Sequence, residues 1–415
     1  MQVVERHIID KHDPRWIIID EAALLAKNVY NAANYLMRQA FFATGKPLNW
    51  TSLYHDVRGY YPQDYEALPR KVSNQVIIHV LHDWKSYRET CKAYQTTPEK
   101  FTGKPNIPGY KGSRHSKRTN GRSTLFYELG AIGKRIWLKK GVAKPSGLDI
   151  TVKTSVVYDD LYAMRIIPQH SCYVVEIIYE KAEKKPIKSP YVAGLDIGLN
   201  NLAAIASNKP GLAPLLVNGR PLKSINQFYN KHKARLQAQL PQGQKSSNRI
   251  RQLSHKRNLK VDDYLHRASR VIIDWCVKHK IAVLVIGKND GWKQRIAIGK
   301  RNNQNFTQIP FARFIEMLEY KGQLAGVQVT TPEESYTSKC SFLDMEQIGK
   351  HETYVGRRIK RGLFRASDGR TINADINGAL NIARKAIPDA FADGIEGVAV
   401  RPVWLRLDEA KKSCA

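Results

Sequence analysis

Two distant segments, Gly194–Asn201 and Asn373–Ala383, constrain the fold of this 415-residue chain more than anything else in it. Each sets one acidic residue, Asp196 or Asp375, in a largely apolar stretch. Val192 and Ala193 lead into Asp196, and the run from Leu202 to Ala206 follows it, which is the pattern of a buried hairpin of strands. The second segment opens a helix with Leu380, Ile382 and Ala383 on its inner side. A carboxylate in a core strand is costly unless it is paired or holds a metal. Two such acids, from opposite ends of one domain, point to a shared cation.

The charge balance narrows the partner. The chain carries 67 Lys and Arg against 37 Asp and Glu, a net charge of +30. An excess of that size suits a polyanion, and nucleic acid is the commonest one; the bland alternative is a merely basic, solvated surface. None of the five cysteines forms a CxxC pair, which speaks against a disulfide framework and fits a reducing cytoplasm. Met1–His7 lacks the apolar run of a signal peptide. No stretch approaches the roughly 20 apolar residues of a membrane span, so no membrane partner is expected.

Residues 1–14 read as a short strand and a turn. Asp20 is the expected cap of a first helix carrying Leu25, Val29, Ala33, Leu36 and Ala40 at helical spacing. Residues 73–94 read as a second helix, and Trp50–Pro69 as a connector between the two. Residues 101–122 hold Lys104, Lys111, Arg114, Lys117, Arg118 and Arg122 with no acid, a basic loop. Strands are expected at Ile136–Leu138, Leu148–Val152 and Cys172–Tyr179, before a charged linker at Lys181–Lys188. From Tyr191 on, strands are expected at 191–198, 201–206, 214–217, 281–287 and 327–331. Helices are expected near 222–240, 247–280, 310–325 and 375–386. That order is the order of an RNase H-like α/β fold.

In two-metal hydrolysis, carboxylates hold two divalent cations about 3.5–4 Å apart. Hard oxygen ligands favour magnesium or manganese. Asp196 and Asp375 supply two corners, and a third carboxylate is needed. The tip of the 281–287 strand should offer it but reads Gly287-Lys288-Asn289, and Asp290 comes late. The next strand runs into Glu333 and Glu334. Neighbouring strands lie about 4.8 Å apart, so a glutamate one strand over can reach the gap. Simpler roles stay open here: Asp196 as a turn residue before Gly198, Asp375 as an acid at a helix start, and the Glu pair as surface charge.

Gly194–Asn201, Tyr336–Ser341 and Asn373–Ile382 resemble the RuvC-type motifs of TnpB proteins, transposon-associated relatives of the type V CRISPR effectors and of Fanzor proteins. The resemblance covers nearly the whole chain. It implies an RNA-guided DNA endonuclease of an insertion sequence, bacterial, cytoplasmic and acting at the nucleoid, with guide RNA and target double-stranded DNA as partners and a monomer as the acting form. Asp196 and Asp375 match the first and third catalytic aspartates, and the usual middle glutamate falls at Gly287. Some members carry the glutamate three residues ahead of the Thr-Ser motif, where Glu334 stands relative to Thr337. The implied catalytic and metal-binding set is therefore Asp196, Glu334 and Asp375, holding two Mg2+ for which Mn2+ can substitute. The family's CxxC ribbon is reduced here to Cys340, and one cysteine cannot build a tetrahedral zinc site. No structural zinc is expected, with Phe342, Leu343, Leu363 and Phe364 keeping the ribbon's shape by packing. A nuclease-dead, RNA-guided DNA-binding repressor is the alternative that Gly287 keeps open.

The expected fold class is α/β plus a β-barrel-like sheet domain. Its parts are a wedge-type β domain (1–14 and 123–189) with an inserted helical recognition unit (15–122), a RuvC RNase H-like nuclease domain (190–339 and 371–415) and a degenerate zinc-ribbon-like insertion (340–370). Asn218–Lys260 holds eleven Lys or Arg and no acid, a stripe suited to the phosphates of a duplex. Arg249, Arg251, Lys256 and Arg257 are the leading contacts. Lys104, the pairs Tyr110–Lys111 and Trp292–Lys293, and Thr337, Ser338 and Lys339 complete the candidate nucleic-acid-binding set. The cluster Arg357, Arg358, Lys360 and Arg361 lies near the site in sequence.

Overall fold

Side chains along Gln2–Asp10 alternate between solvent and interior, and this segment forms β1. In the computed structural model, which describes residues 1–112, 121–169, 171–288, 299–392, 394–405 and 407, β1 opens the first of two compact units, Met1–Lys181 and Ala182–Ala415. The first unit continues with α1 (Arg15–Thr44), α2 (Trp50–Tyr60), α3 (Pro62–Glu66), α4 (Arg70–Thr96) and β2 (Leu125–Glu128). It closes with α5 (Lys134–Lys140), β3 (Val142–Ala143), β4 (Val152–Lys153), β5 (Leu161–Pro168) and β6 (Cys172–Glu180). An antiparallel sheet runs β1–β6–β5–β2, and β3 pairs with β4. Ile19, Val29, Tyr30, Val76 and Trp84 from the helices share one core with Ile9, Leu125, Tyr173 and Val175 from the sheet. Glu176 is 2% exposed and is neutralised by Arg6, 2.8 Å away, and by Arg165.

Several local expectations change here. α1 begins at Arg15, five residues before Asp20, because Pro14 stands at the position where the helix starts. Asp20 is no cap; its carboxylate accepts from Arg122 at 2.7 Å and from the Tyr173 hydroxyl at 2.6 Å. The connector Trp50–Pro69 is largely helical, since Asn49 caps α2 by accepting from the Ser52 N–H at 2.9 Å. Ile136–Leu138 belongs to helix α5, which ends at Gly141 with φ 61° and is anchored by the Trp137 indole donating to the Val156 carbonyl. Of Leu148–Val152 only the last residue joins a strand.

The second unit contains β7 (Val192–Ile197), β8 (Asn201–Ser207), β9 (Leu215–Asn218), α6 (Arg220–Ala238), α7 (Asn248–Lys278), β10 (Val283–Ile286), α8 (Lys300–Gln308) and α9 (Phe311–Ala325). After these come β11 (Gln328–Thr330), β12 (Arg357–Lys360), β13 (Leu363–Arg365), β14 (Thr371–Asn373), α10 (Ala374–Ala386) and β15 (Val403–Leu405). The sheet order is β11–β10–β7–β8–β9–β15. β7, β8 and β9 are antiparallel, and β10 runs parallel to both β7 and β11. This is the RNase H-like arrangement, extended by β15, which the sequence did not signal.

Period-two alternation in β7 sorts its side chains between two cores. Ala193, Leu195 and Ile197 pack with residues of α7 and α9. Val192 lies on the other face, with Ile376, Ala379 and Ile382 of α10. Asp196 follows Val192 by four residues and shares that face. Gly194, between them, lets α10 come close: a Cβ there would sit 1.8 Å from the Ala379 carbonyl oxygen.

The insertion before α10 is held by a buried carboxylate. Glu346 accepts from the Ser341 N–H at 2.6 Å and from the Val355 N–H at 2.9 Å, while Arg384 donates to its carbonyl. Phe342 and Phe364 are buried beside it, Leu343 nearly so, and Leu363 is half-buried. Among the described residues Cys91, Cys276 and Cys340 form no disulfide. Glu346→Ala strands the buried Ser341 N–H and frees the part-buried Val355 N–H, each bond to a charged acceptor contributing up to roughly 1.5–3 kcal/mol. The expected result is a drop in melting temperature of roughly 5–10 °C, measured by calorimetry; an unchanged melt rules this role out. No helix among the described residues is long and apolar enough to cross a membrane.

Candidate active site

Three elements converge on the α10 face of β7. Asp196 is near the end of that strand. Asp375 lies in the first turn of α10, where Asn373 caps the helix by accepting from the N–H groups of Asp375 and Ile376. The third carboxylate depends on the neighbour of β7. Ile286 pairs with Leu195, and the Gly287 N–H donates to the Leu195 carbonyl at 3.1 Å, so Gly287 stands beside Asp196. The Lys288 N–H then donates to the Pro332 carbonyl at 3.0 Å and draws in the segment after β11. A Cβ on Gly287 would lie 2.4 Å from Oε2 of Glu334. The Glu334 carboxylate thus occupies the space left by the missing side chain at 287.

Electrostatics tie the three together. The Asp196 carboxyl is pushed well above the usual carboxylate range, by burial first and then by repulsion from Glu334 and Asp375, with Arg358 opposing. Burial also raises Glu334, with Lys385 opposing. Asp375 accepts from the Asn201 amide at 2.7 Å and lies 3.7 Å from the Arg358 guanidinium. Among the described residues no group of three or more His, Cys, Asp or Glu side chains is gathered closely enough to hold a metal ion. The donors are nonetheless all carboxylate oxygens, the chemistry that suits magnesium, and Asn201 and Arg358 occupy part of Asp375.

Glu333 takes a different course. It is exposed, accepts from the Ser335 hydroxyl and lies 3.9 Å from Lys385. Tyr336 adopts φ 68° in the turn that follows. Thr337 is buried and its hydroxyl donates to the Glu334 carbonyl at 2.8 Å. It therefore fixes the backbone of Glu334 rather than presenting itself to a nucleic acid, which changes the role expected for it. Ser338 and Lys339 are exposed.

Asn201, Arg358 and Lys385 are the site neighbours that motif reading did not assign. The signal for Asn201 was its place within the Gly194–Asn201 segment; Arg358 was visible only as one of a basic cluster.

Of the remaining nucleic-acid candidates, Arg249 and Lys256 are exposed on α7, and Arg251 donates to Asn248. Arg257 is taken up by Asn226, Asn258 and the Gln308 carbonyl, so it braces α7 against α6. In the first unit, Lys104 is exposed, Arg38 lies over the Tyr110 ring, and Lys111 lies 4.3 Å from the centre of the Tyr30 ring. Trp292 and Lys293 lie outside the described residues.

A family model described as a probable transposase, OrfB_IS605, matches residues 172–293. A second, the Cas12f1-like TNB domain, matches residues 311–382 and so spans Glu334 and Asp375. The TnpB-like protein ORF457 of Acidianus two-tailed virus is 23% identical over 404 residues, 88% of this chain and 82% of that protein. The chain is thus similar to TnpB proteins. Another relative is the CRISPR-associated endodeoxyribonuclease Cas12f2 of a Micrarchaeota archaeon (strain CG1_02_47_40), 25% identical over 229 residues. That match spans 52% of this chain but only 40% of the relative. In fold, the chain is similar to Cas12f1 as solved in complex with sgRNA and target DNA, with TM-score 0.53, 16% identity and coverage of 88% of this chain and 82% of that one.

Proposed function

We propose that this chain is a TnpB-type, RNA-guided DNA endonuclease that hydrolyses phosphodiester bonds with divalent metal, magnesium first. The observation that carries the reading is Glu334 filling the space above Gly287 beside Asp196, on the face where α10 brings Asp375. Three carboxylates from three elements, with burial raising the pKa values of Asp196 and Glu334 and repulsion from the other two acids adding to that of Asp196, are arranged for divalent cations rather than for stability. Asp196, Glu334 and Asp375 would hold the metal ions, which supply an activated water and neutralise the leaving oxygen. Thr337 holds the Glu334 backbone in place, and Asn201 orients the Asp375 carboxylate. The relatives add weight: one is named an endodeoxyribonuclease, and a chain of like fold was solved with guide RNA and target DNA.

The finer reading has the first unit as the wedge-type sheet with its helical recognition unit, the second as the RuvC domain with a ribbon-like insertion, and a monomer acting in the cytoplasm. Base pairing with the guide would read most of the target. The test is to express the chain with its flanking locus, sequence the RNA that co-purifies, and challenge the complex with a randomised-flank plasmid library. Cuts that require magnesium and disappear on chelation are expected. Bound RNA and bound target without cuts would instead make it a repressor, and absence of bound RNA would remove both readings.

Arg358 offers a separate check. Its contact with Asp375 joins half-exposed groups, worth roughly 0.2–1 kcal/mol. Arg358→Ala should therefore lower the magnesium concentration for half-maximal cleavage by about two- to fivefold. A magnesium titration that shifts upward contradicts competition between that guanidinium and the metal.

A further inference from the structure

The groove between α6 and α7 divides into two compartments that share Leu253 and Lys256. One, of about 530 Å³, brings the apolar Ile225, Phe228, Leu253 and Leu259 together with Lys256 and Lys260. The other, of about 380 Å³, presents His232, Arg235, Arg249 and Lys256, with the amides of Gln239 and Gln252. Phe228 is 57% exposed and Leu259 38%, an unusual place for large apolar groups on polar helices. The His232 ring leans against Phe228, with centroids 4.1 Å apart and the planes tilted by 41°, and the rest of the Phe228 ring is exposed. Arg257 and the Tyr229–Ser254 hydrogen bond hold the two helices at this spacing, so the groove is a formed feature.

An apolar compartment next to a cationic one matches the two halves of a nucleotide. The charge decides what fills it: from Asn218 to Lys260 there are eleven Lys or Arg and no acid, which disfavours an ordinary protein segment and suits a polyanion. A base paired in a duplex presents only its edge, whereas an unpaired base offers a face to stack. The Gln239 and Gln252 amides can each donate and accept, the pairing that a ribose 2′-hydroxyl uses and a deoxyribose lacks.

We infer that the α6–α7 groove binds an unpaired ribonucleotide of an RNA strand, its base stacked on Phe228 and its phosphates held by Arg235, Arg249 and Lys256. This deepens the nucleic-acid-guided reading by giving these helices a single-stranded RNA contact beside any duplex they track. It rests on that reading only for the presence of RNA.

The test uses the full chain freed of nucleic acid, without divalent metal, and a fluorescein-labelled 15-nucleotide RNA of unstructured sequence. Phe228→Ala should weaken binding about tenfold by anisotropy, with binding of an RNA–DNA duplex kept within about twofold. Phe228→Trp should keep the affinity, and its indole emission should be quenched on addition of RNA. Arg249→Ala and Lys256→Ala should each reduce the slope of log affinity against log salt by about 1. Single-stranded DNA of the same sequence should bind at least about threefold more weakly.

Equal weakening of RNA and duplex by Phe228→Ala, or unchanged tryptophan emission with RNA bound, overturns the groove assignment. Equal affinity for DNA overturns the assignment to RNA. Concentration-dependent dimerisation abolished by Phe228→Ala would show that a second copy covers the groove, and would also overturn it. If the alanine variant misfolds by circular dichroism, the tryptophan variant decides alone. The assay reads no cleavage, so a chain that binds RNA here yet never cuts sinks the nuclease proposal and leaves this one standing.

Discussion

Glu334→Ala is expected to lower the rate of target-DNA cleavage on the order of 10³-fold, while Glu333→Ala stays within about twofold. The two glutamates are adjacent in sequence, so charge, composition and local propensity barely distinguish the variants. Position does. Glu334 reaches the space beside Asp196, whereas Glu333 faces solvent near Lys385. A Cβ at 287 would also meet Oε2 and Cβ of Glu334 within 2.9 Å, so Gly287→Ala alone should impair cleavage by pushing that carboxylate aside. The double variant Gly287→Glu with Glu334→Ala should recover part of the loss, because removing Glu334 frees room and the new acid returns to the strand tip. The remaining obstructions are the Cβ that alanine keeps at 334, 2.9 Å away, and the end of the flexible Ile382 side chain. Equal losses for Glu333→Ala and Glu334→Ala would sink the assignment.

Asp196→Asn should abolish cleavage and yet stabilise the metal-free protein. Burial and two neighbouring carboxylates hold the Asp196 pKa well above its usual range. A raised carboxyl pKa in the folded state means that the fold prefers the protonated form. The stability it contributes is complete below the unfolded pKa of about 3.9 and is lost as pH rises through the folded value. Glu334, also raised, acts in the same direction. In chelator, the melting temperature of the wild type should therefore fall, relative to Asp196→Asn, as pH rises from the ordinary carboxylate range through the raised folded-state value. At the upper end the asparagine variant should melt several degrees higher, at roughly 2–4 °C per kcal/mol of repulsion removed. Magnesium should restore the wild type and do little for the variant. A variant that melts lower than the wild type in chelator at high pH would contradict this account of the site.

The strand-and-helix order of the second unit was legible because its signals are local. Apolar runs bounded by turn residues marked β7 to β11, and three-and-four spacing marked α6, α7, α9 and α10. Expectations failed where a local pattern served two structures. Ile136–Leu138 is as apolar as a strand, but Gly141 and the partner of Trp137 make it a helical turn. Asp20 has the chemistry of a cap and is used instead as an anchor for Arg122 and Tyr173. α8 and β15 carried too little apolar periodicity to be seen.

The sequence by itself determined that two acids lie in apolar settings, that the chain is strongly basic, and that the strand tip at Gly287 lacks a side chain. Only the tertiary structure decided which glutamate stands in that gap, that Thr337 turns inward to hold it, and that Arg358 meets Asp375. Apart from the short-range Thr337–Glu334 bond, those outcomes depend on contacts between segments well separated in the chain. Strand register and close helix packing fix such contacts, and no local pattern of residues encodes them.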